Sequence, residues 1–186
     1  GDGHIDLLFA GHASGTPNGV GPVVVVRNQG SSSGPVIFWS QPAGERGVST
    51  DVAWADFNGD DRLDFVSTTY LGNNRVYLQN AAGTDFQLAW SSPNTKATLG
   101  VAVGDLDRDG DIDLVFANGA NQANEVYVNT GNASFNLIAF PESSDSSLRA
   151  TSTDVDLADC DQDGDLDIAF ANSGTLVTTS SAPNRL

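Results

Sequence analysis

One loop recurs four times along this chain of 186 residues, each time running into an apolar strand. The segments are GDGHIDLLFA (1–10), DFNGDDRLDFVSTTY (56–70), DLDRDGDIDLVFANG (105–119) and DCDQDGDLDIAFANS (159–173). Their last acids, Asp6, Asp64, Asp113 and Asp167, lie 58, 49 and 54 residues apart. A period of about 50 residues marks one supersecondary unit that buries its core only by stacking on its neighbours. This excludes most folds before any single residue is considered.

Three more strand-like stretches follow each loop. The first is VVVVRN (23–28), NRVYLQN (74–80) or NEVYVNT (124–130), and NRL (184–186) reads as its next beginning. The second is VIFWSQP (36–42), FQLAWSSP (86–93) or FNLIAFP (135–141). The third leads into the next loop: TDVAWAD (50–56), LGVAVGD (99–105) or TDVDLAD (153–159). All are short, rich in Val, Ile, Phe, Tyr and Trp, and bounded by Gly, Asn, Ser and Pro. No stretch carries a helical period. Four antiparallel strands per unit is the composition of a β-propeller blade. A sandwich also has many short strands, but it does not repeat one loop at the same hairpin.

With strands labelled A to D, the loop lies between A and B. The spacing predicts an all-β chain of four-stranded antiparallel blades, forming an incomplete propeller. The expected divisions of this single segment (1–186) are a partial blade (1–47), two blades (48–98 and 99–150) and a second partial blade (151–186). Closed propellers take about 4–8 blades. Uncovered blade edges are therefore expected to invite self-association, in oligomers or filaments.

The third loop shows what the spacing is for. Asp105, Asp107 and Asp109 offer carboxylates on one side of a tight turn, and Gly110 permits the bend. Asp111 can offer its backbone carbonyl, and Asp113 closes the shell. Six to eight hard oxygen donors suit Ca²⁺. The pattern shares its first seven positions with an EF-hand loop, but no helix flanks it. The fourth loop repeats it in full with Asp159, Asp161, Asp163, Asp165 (through its carbonyl) and Asp167. The second keeps Asp56, Asn58, Asp60 and Asp64. It has Asp61 in place of glycine and Arg62, which would ligate through its carbonyl, at position seven, so weaker binding is expected there. The first retains Asp2, His4 (carbonyl) and Asp6, a partial site. Without a cation, carboxylates held this closely repel one another.

Composition agrees with this reading. The chain carries 24 acids against 8 bases, a net charge of −16, and 21 of the acids are Asp, which disfavours helices and strands but serves well as a loop ligand. Such a surface repels nucleic acid and anionic membranes. No apolar run approaches the roughly 20 residues of a membrane span. Cys160, the only cysteine, sits at a non-ligand loop position and reads as inert. A chain opening on Gly1 without methionine reads as processed or as an excerpt.

These motifs resemble the FG-GAP and VCBS-type repeats of integrin alpha-subunit propellers, fungal propeller lectins and many secreted bacterial proteins. The resemblance rests on the Dx[DN]xDGxxD loop, the strand after it (DLVFANG, DIAFANS) and the N-x-VY-x-N strand. It implies a propeller, seven-bladed in most relatives, with Ca²⁺ bracing the A–B hairpin at the residues named above. It also implies that ligands bind elsewhere, on loops or between blades.

The remaining residues point away from an enzyme. No nucleophile elbow occurs, and His4 and His12 have no acid–base constellation around them. Trp39, Trp90 and Phe140 recur at one position of strand D, which favours packing over sugar stacking. Trp54 reads as core. Asn132 heads an N-A-S glycosylation sequon. The B–C loops vary most, which suits recognition of a glycan or protein. The leading expectation is thus a calcium-stabilised extracellular module for adhesion or glycan or protein binding. Two alternatives stay open: a structural subunit that assembles through blade ends, and an accessory domain of a secreted hydrolase or lyase. The extracellular placement follows from weak calcium loops, which fill at millimolar calcium.

Overall fold

The apolar runs after the second and third loops form strands with both faces covered, not one. In a computed structural model, residues 5–11, 20–30, 34–138 and 150–173 are described. Asp2, His4, His12 and Phe140 lie outside them. Among the described residues the strands run in chain order: β1 (Leu7–Phe9), β2 (Val24–Asn28), β3 (Pro35–Ser40), β4 (Val48–Ala55), β5 (Asp64–Gly72), β6 (Arg75–Gln79), β7 (Phe86–Ser91), β8 (Lys96–Gly104), β9 (Asp113–Asn118), β10 (Glu125–Asn129), β11 (Phe135–Ile138), β12 (Thr151–Ala158) and β13 (Asp167–Ser173). All pairings between them are antiparallel.

β4–β7 and β8–β11 each run as a four-stranded meander, the A-B-C-D order anticipated. β1–β3 supply B, C and D of the unit before, and β12–β13 supply A and B of the unit after. One feature departs from separate blades. The tail of β5 outruns its partner β6 and is captured by β8, pairing Tyr70 with Ala97 and Gly72 with Lys96. The two meanders therefore join into one curled eight-stranded sheet. Each A strand carries a register shift at the same place, at Ser49/Val52, Thr98/Gly100 and Ser152/Asp154, and such bulges add twist.

Three apolar layers fill the spaces between consecutive units. Val23, Val25, Trp39, Phe65, Tyr77 and Phe86 form the first. Phe57, Val66, Val76, Val101, Leu114, Phe116 and Tyr127 form most of the second. Val115, Ala117, Val126, Val155 and Phe170 form the third. β9 sends Leu114 and Phe116 to one side and Val115 and Ala117 to the other, so all six of its residues are buried. Trp39 packs edge-on to Phe65, Tyr77 and Phe86 at 5.2–5.9 Å, and Trp90 lies 5.1 Å from Tyr127 and from Phe135. Trp54 meets Phe65 at 5.8 Å. The recurring tryptophans are thus wedges between units.

A polar relay runs beside these layers. Thr69 N–H donates to Asn74 Oδ1, and Asn74 Nδ2 donates to Thr98 Oγ1. Thr98 donates on to Asn118 Oδ1, and Asn118 N–H donates to Asn124 Oδ1. Asn124 Nδ2 donates to Ser152 Oγ, which donates to Asn172 Oδ1. Every link is 2.7–3.0 Å. Asn74, Thr98, Asn118, Asn124 and Ser152 are at most 1% exposed, so they rely on one another for partners.

Candidate metal centres

The three fully described loops fold on one hydrogen-bond plan, which follows from aspartate's habit of accepting from backbone N–H groups two residues on. The N–H at position two donates to the acid at position nine: Phe57 to Asp64, Leu106 to Asp113 and Cys160 to Asp167, at 2.7–3.1 Å. The N–H at position six donates to the acid at position one: Asp61 to Asp56, Gly110 to Asp105 and Gly164 to Asp159. Position seven donates to position five, and position five to position three. Two residues per loop must enter the left-handed region. Position four is Gly59, Arg108 or Gln162, with φ of 73°, 62° and 64°. Position six is Asp61, Gly110 or Gly164, with φ of 62°, 93° and 92°. Glycine makes this free, and Asp61 accepts it at modest cost.

The loops differ in which oxygens remain. Ligand-capable oxygens of Asp105, Asp107 and Asp109 lie within 4.8 Å of one another, as do those of Asp159, Asp161 and Asp167. Asp113 and Asp163 stand outside these triads. Asp105 Oδ1 is buried with no hydrogen-bond partner. An ionised oxygen in that position is costly unless a cation meets it. This orphaned oxygen, on one of three carboxylates that approach within 4.8 Å of one another, fits a hard divalent ion.

Position nine is buried in both central loops, with Asp64 and Asp113 fully enclosed. Burial pushes the Asp64 carboxyl up to about 6, against the pull of the Gln79 and Phe57 N–H groups and helped by the charges of Asp60 and Asp56. Burial also raises Asp113, opposed by the Asn129 and Leu106 N–H groups. For Asp56 burial acts upward, but the N–H groups of Asp61, Asp60, Asn58 and Gly59 together outweigh it and hold the carboxyl low. At the exposed fourth loop a hydrogen bond from the Cys160 thiol lowers Asp167, and the same bond raises the thiol. In the first loop Asp6 Oδ1 accepts the Asn28 N–H at 2.9 Å, matching Asp64 with Gln79 and Asp113 with Asn129.

Three side chains outside the ligand pattern hold the loops in place. Arg108 reaches from the third loop to the fourth, donating to Gly164 O at 3.1 Å and Asp163 O at 3.3 Å and pairing with the Asp165 carboxylate. Asn129 donates to Phe57 O at 2.9 Å, tying β10 to the second loop. Arg62 pairs with the Asp60 carboxylate through its side chain, where the sequence suggested only a carbonyl. Asn129 has a sequence signal, since Asn28 occupies the same place in the N-terminal unit, and the Gly30 and Gly131 N–H groups donate to their respective side chains. The directions taken by Arg62 and Arg108 have none.

Antiparallel four-stranded units, stacked face to face with an aspartate loop on each A–B hairpin, define a propeller-type repeat module. The model of the FG-GAP-like repeat family matches residues 1–67, 56–116 and 105–170, and the chain belongs to that family. No curated protein matches the chain.

Proposed function

We propose that this module is a calcium-braced, non-catalytic binding scaffold that works outside the cell. The observation that carries the reading is the buried, partnerless Asp105 Oδ1 beside the Asp107 and Asp109 carboxylates. Asp105, Asp107, Asp109 and Asp113, with the Asp111 carbonyl, would hold one ion. Asp159, Asp161, Asp163 and Asp167, with the Asp165 carbonyl, would hold another. The bound ion would neutralise the carboxylates and lock strand A to strand B, leaving recognition of a glycan or protein to the loops at the blade ends. Calorimetric titration with calcium and melting in EGTA test this. Saturation at a hundredfold excess over Kd adds about 2.7 kcal/mol per site. An identical melting curve in calcium and in EGTA refutes the reading.

One observation favours a second reading, assembly through an uncovered face. Leu7, Phe9 and Ile37 are 45%, 48% and 69% exposed on the first sheet, where the corresponding Phe65 of the next unit is fully buried. Sedimentation velocity distinguishes the two, since a strict monomer at high concentration rules assembly out.

A further inference from the structure

We infer that Arg62 closes the second loop as a built-in cation, so that this loop folds without a divalent ion and residues 56–64 drop out of the metal count. The inference rests on the calcium reading above and refines it. That reading concerns the third and fourth loops. This one concerns what occupies the second.

The argument starts at position one. In the third loop Asp105 Oδ1 is buried and accepts nothing. In the second loop the equivalent atom, Asp56 Oδ1, accepts three backbone N–H groups, from Asn58 at 3.2 Å, Gly59 at 2.8 Å and Asp60 at 3.2 Å. Its other oxygen accepts the Asp61 N–H at 2.7 Å. Asp64 accepts from Phe57 N–H and Gln79 N–H just as Asp113 accepts from Leu106 and Asn129, so the loops differ at positions one and five, not at nine. Asp60 accepts the Arg62 backbone N–H on Oδ1, and both the Asn58 amide and the Arg62 guanidinium on Oδ2. The oxygens of Asp56 and Asp60 that would meet an ion are therefore spent on the chain's own donors. Both acid triads of the other loops include position three, Asp107 or Asp161, where the second loop has the neutral Asn58 and so brings one negative charge fewer.

The charge argument agrees. The Arg62 side chain is only 35% exposed and carries a fixed positive charge against Asp60. A divalent ion entering here must displace that guanidinium from its carboxylate and then sit beside it, two positive centres in one small shell. In the other loops position seven is Asp111 or Asp165, and Asp165 is drawn away toward Arg108.

Two measurements on the whole chain test the inference. Calcium titration of the wild type is expected to count two ions, and the double variant Asp61→Gly/Arg62→Asp, which copies positions six and seven of the other loops, three. Three ions in the wild type overturn the inference, as does a variant with native circular dichroism that still takes two. No ions in either protein sinks the calcium reading instead, and the second measurement then decides the role of Arg62. In EGTA, Arg62→Ala is expected to melt about 2–4 °C lower, the shift of a partly buried ion pair in a chain of this length, with Arg62→Lys recovering part of the loss. An unmoved melting temperature for Arg62→Ala overturns the inference whether or not calcium binds.

Discussion

Tyr77 and Tyr127 occupy the same place in consecutive units, and the structure predicts that removing their hydroxyls has opposite effects. Both rings are 1% exposed and both sit under a strand-D tryptophan, Trp39 and Trp90. Tyr77 Oη accepts from Gln41 Nε2 at 2.9 Å and donates to Glu45 Oε2 at 2.7 Å. Tyr127 Oη is buried with no partner. The difference lies two residues beyond each tryptophan. Gln41 is long enough to reach, whereas Ser92 is short and already engaged with Asn74 N–H and Asn94 O. Tyr77→Phe loses a bond to a charged acceptor and strands the Gln41 amide, a cost of about 2–3 kcal/mol. At roughly 2–4 °C per kcal/mol for a chain of this size, its melting midpoint falls by about 5–10 °C. Tyr127→Phe removes an uncompensated hydroxyl and gains about 1 kcal/mol, raising the midpoint by about 2–4 °C. Thermal melts followed by circular dichroism in one buffer suffice. If both variants lose stability equally, the partnerless state of Tyr127 is wrong, and with it the unit-by-unit comparison.

Three further outcomes are expected. In EGTA the chain gains stability as pH falls from 7 through about 6. Asp64 is raised above its unfolded value of 3.8, so its contribution is whole below 3.8 and lost as pH rises through about 6. Calcium reverses that slope because it binds ionised carboxylates; Asp64→Asn flattens it in EGTA, and denaturant midpoints across pH measure both. Cys160, though exposed, should alkylate with iodoacetamide more slowly than free cysteine at neutral pH, because its bond to Asp167 holds the thiol protonated; Asp167→Asn should speed the reaction. Asn124→Ala breaks the polar relay at a fully buried link and should cost about 2–3 kcal/mol in urea unfolding, whereas Asn132→Asp, on the exposed turn and able to keep the left-handed φ of 54°, should cost under about 0.5.

The aspartate spacing disclosed the loops because each loop is local: nine residues, with acids at alternate positions bonding to N–H groups a few residues away. The strands after them were legible for a related reason. An uninterrupted run such as Leu114–Ala117 cannot be half-solvated, so it had to lie between two layers. Trp39 and Trp90 declared themselves as core by recurring once per unit. What stayed hidden depends on residues that meet across units. The capture of the β5 tail by β8 is decided by how far Gly72 overshoots β6, which no period reports. The reach of Arg108 into the next loop, 55 and 56 residues along, depends on how the units stack. At Arg62 the sequence showed a departure from the pattern. That the departure supplies a charge to the loop is visible only where the side chain lies against Asp60.

The relay from Thr69 to Asn172 bears on how such chains change in length. Each link joins an amide at the start of a C strand to a hydroxyl on the following A strand, and that hydroxyl to an amide at the end of its own B strand. Residues 105–158, copied whole, bring the Ser152 hydroxyl for the amide behind it and the Asn118 amide for the hydroxyl ahead, whereas the unit before has Thr69 in that place and leaves the Ser49 hydroxyl buried without a partner. An array can therefore lengthen or shorten by whole periods and leave no buried amide stranded, while a cut at any other phase strands one. Growth by duplication is in this sense written into hydrogen bonds as well as into the repeat itself.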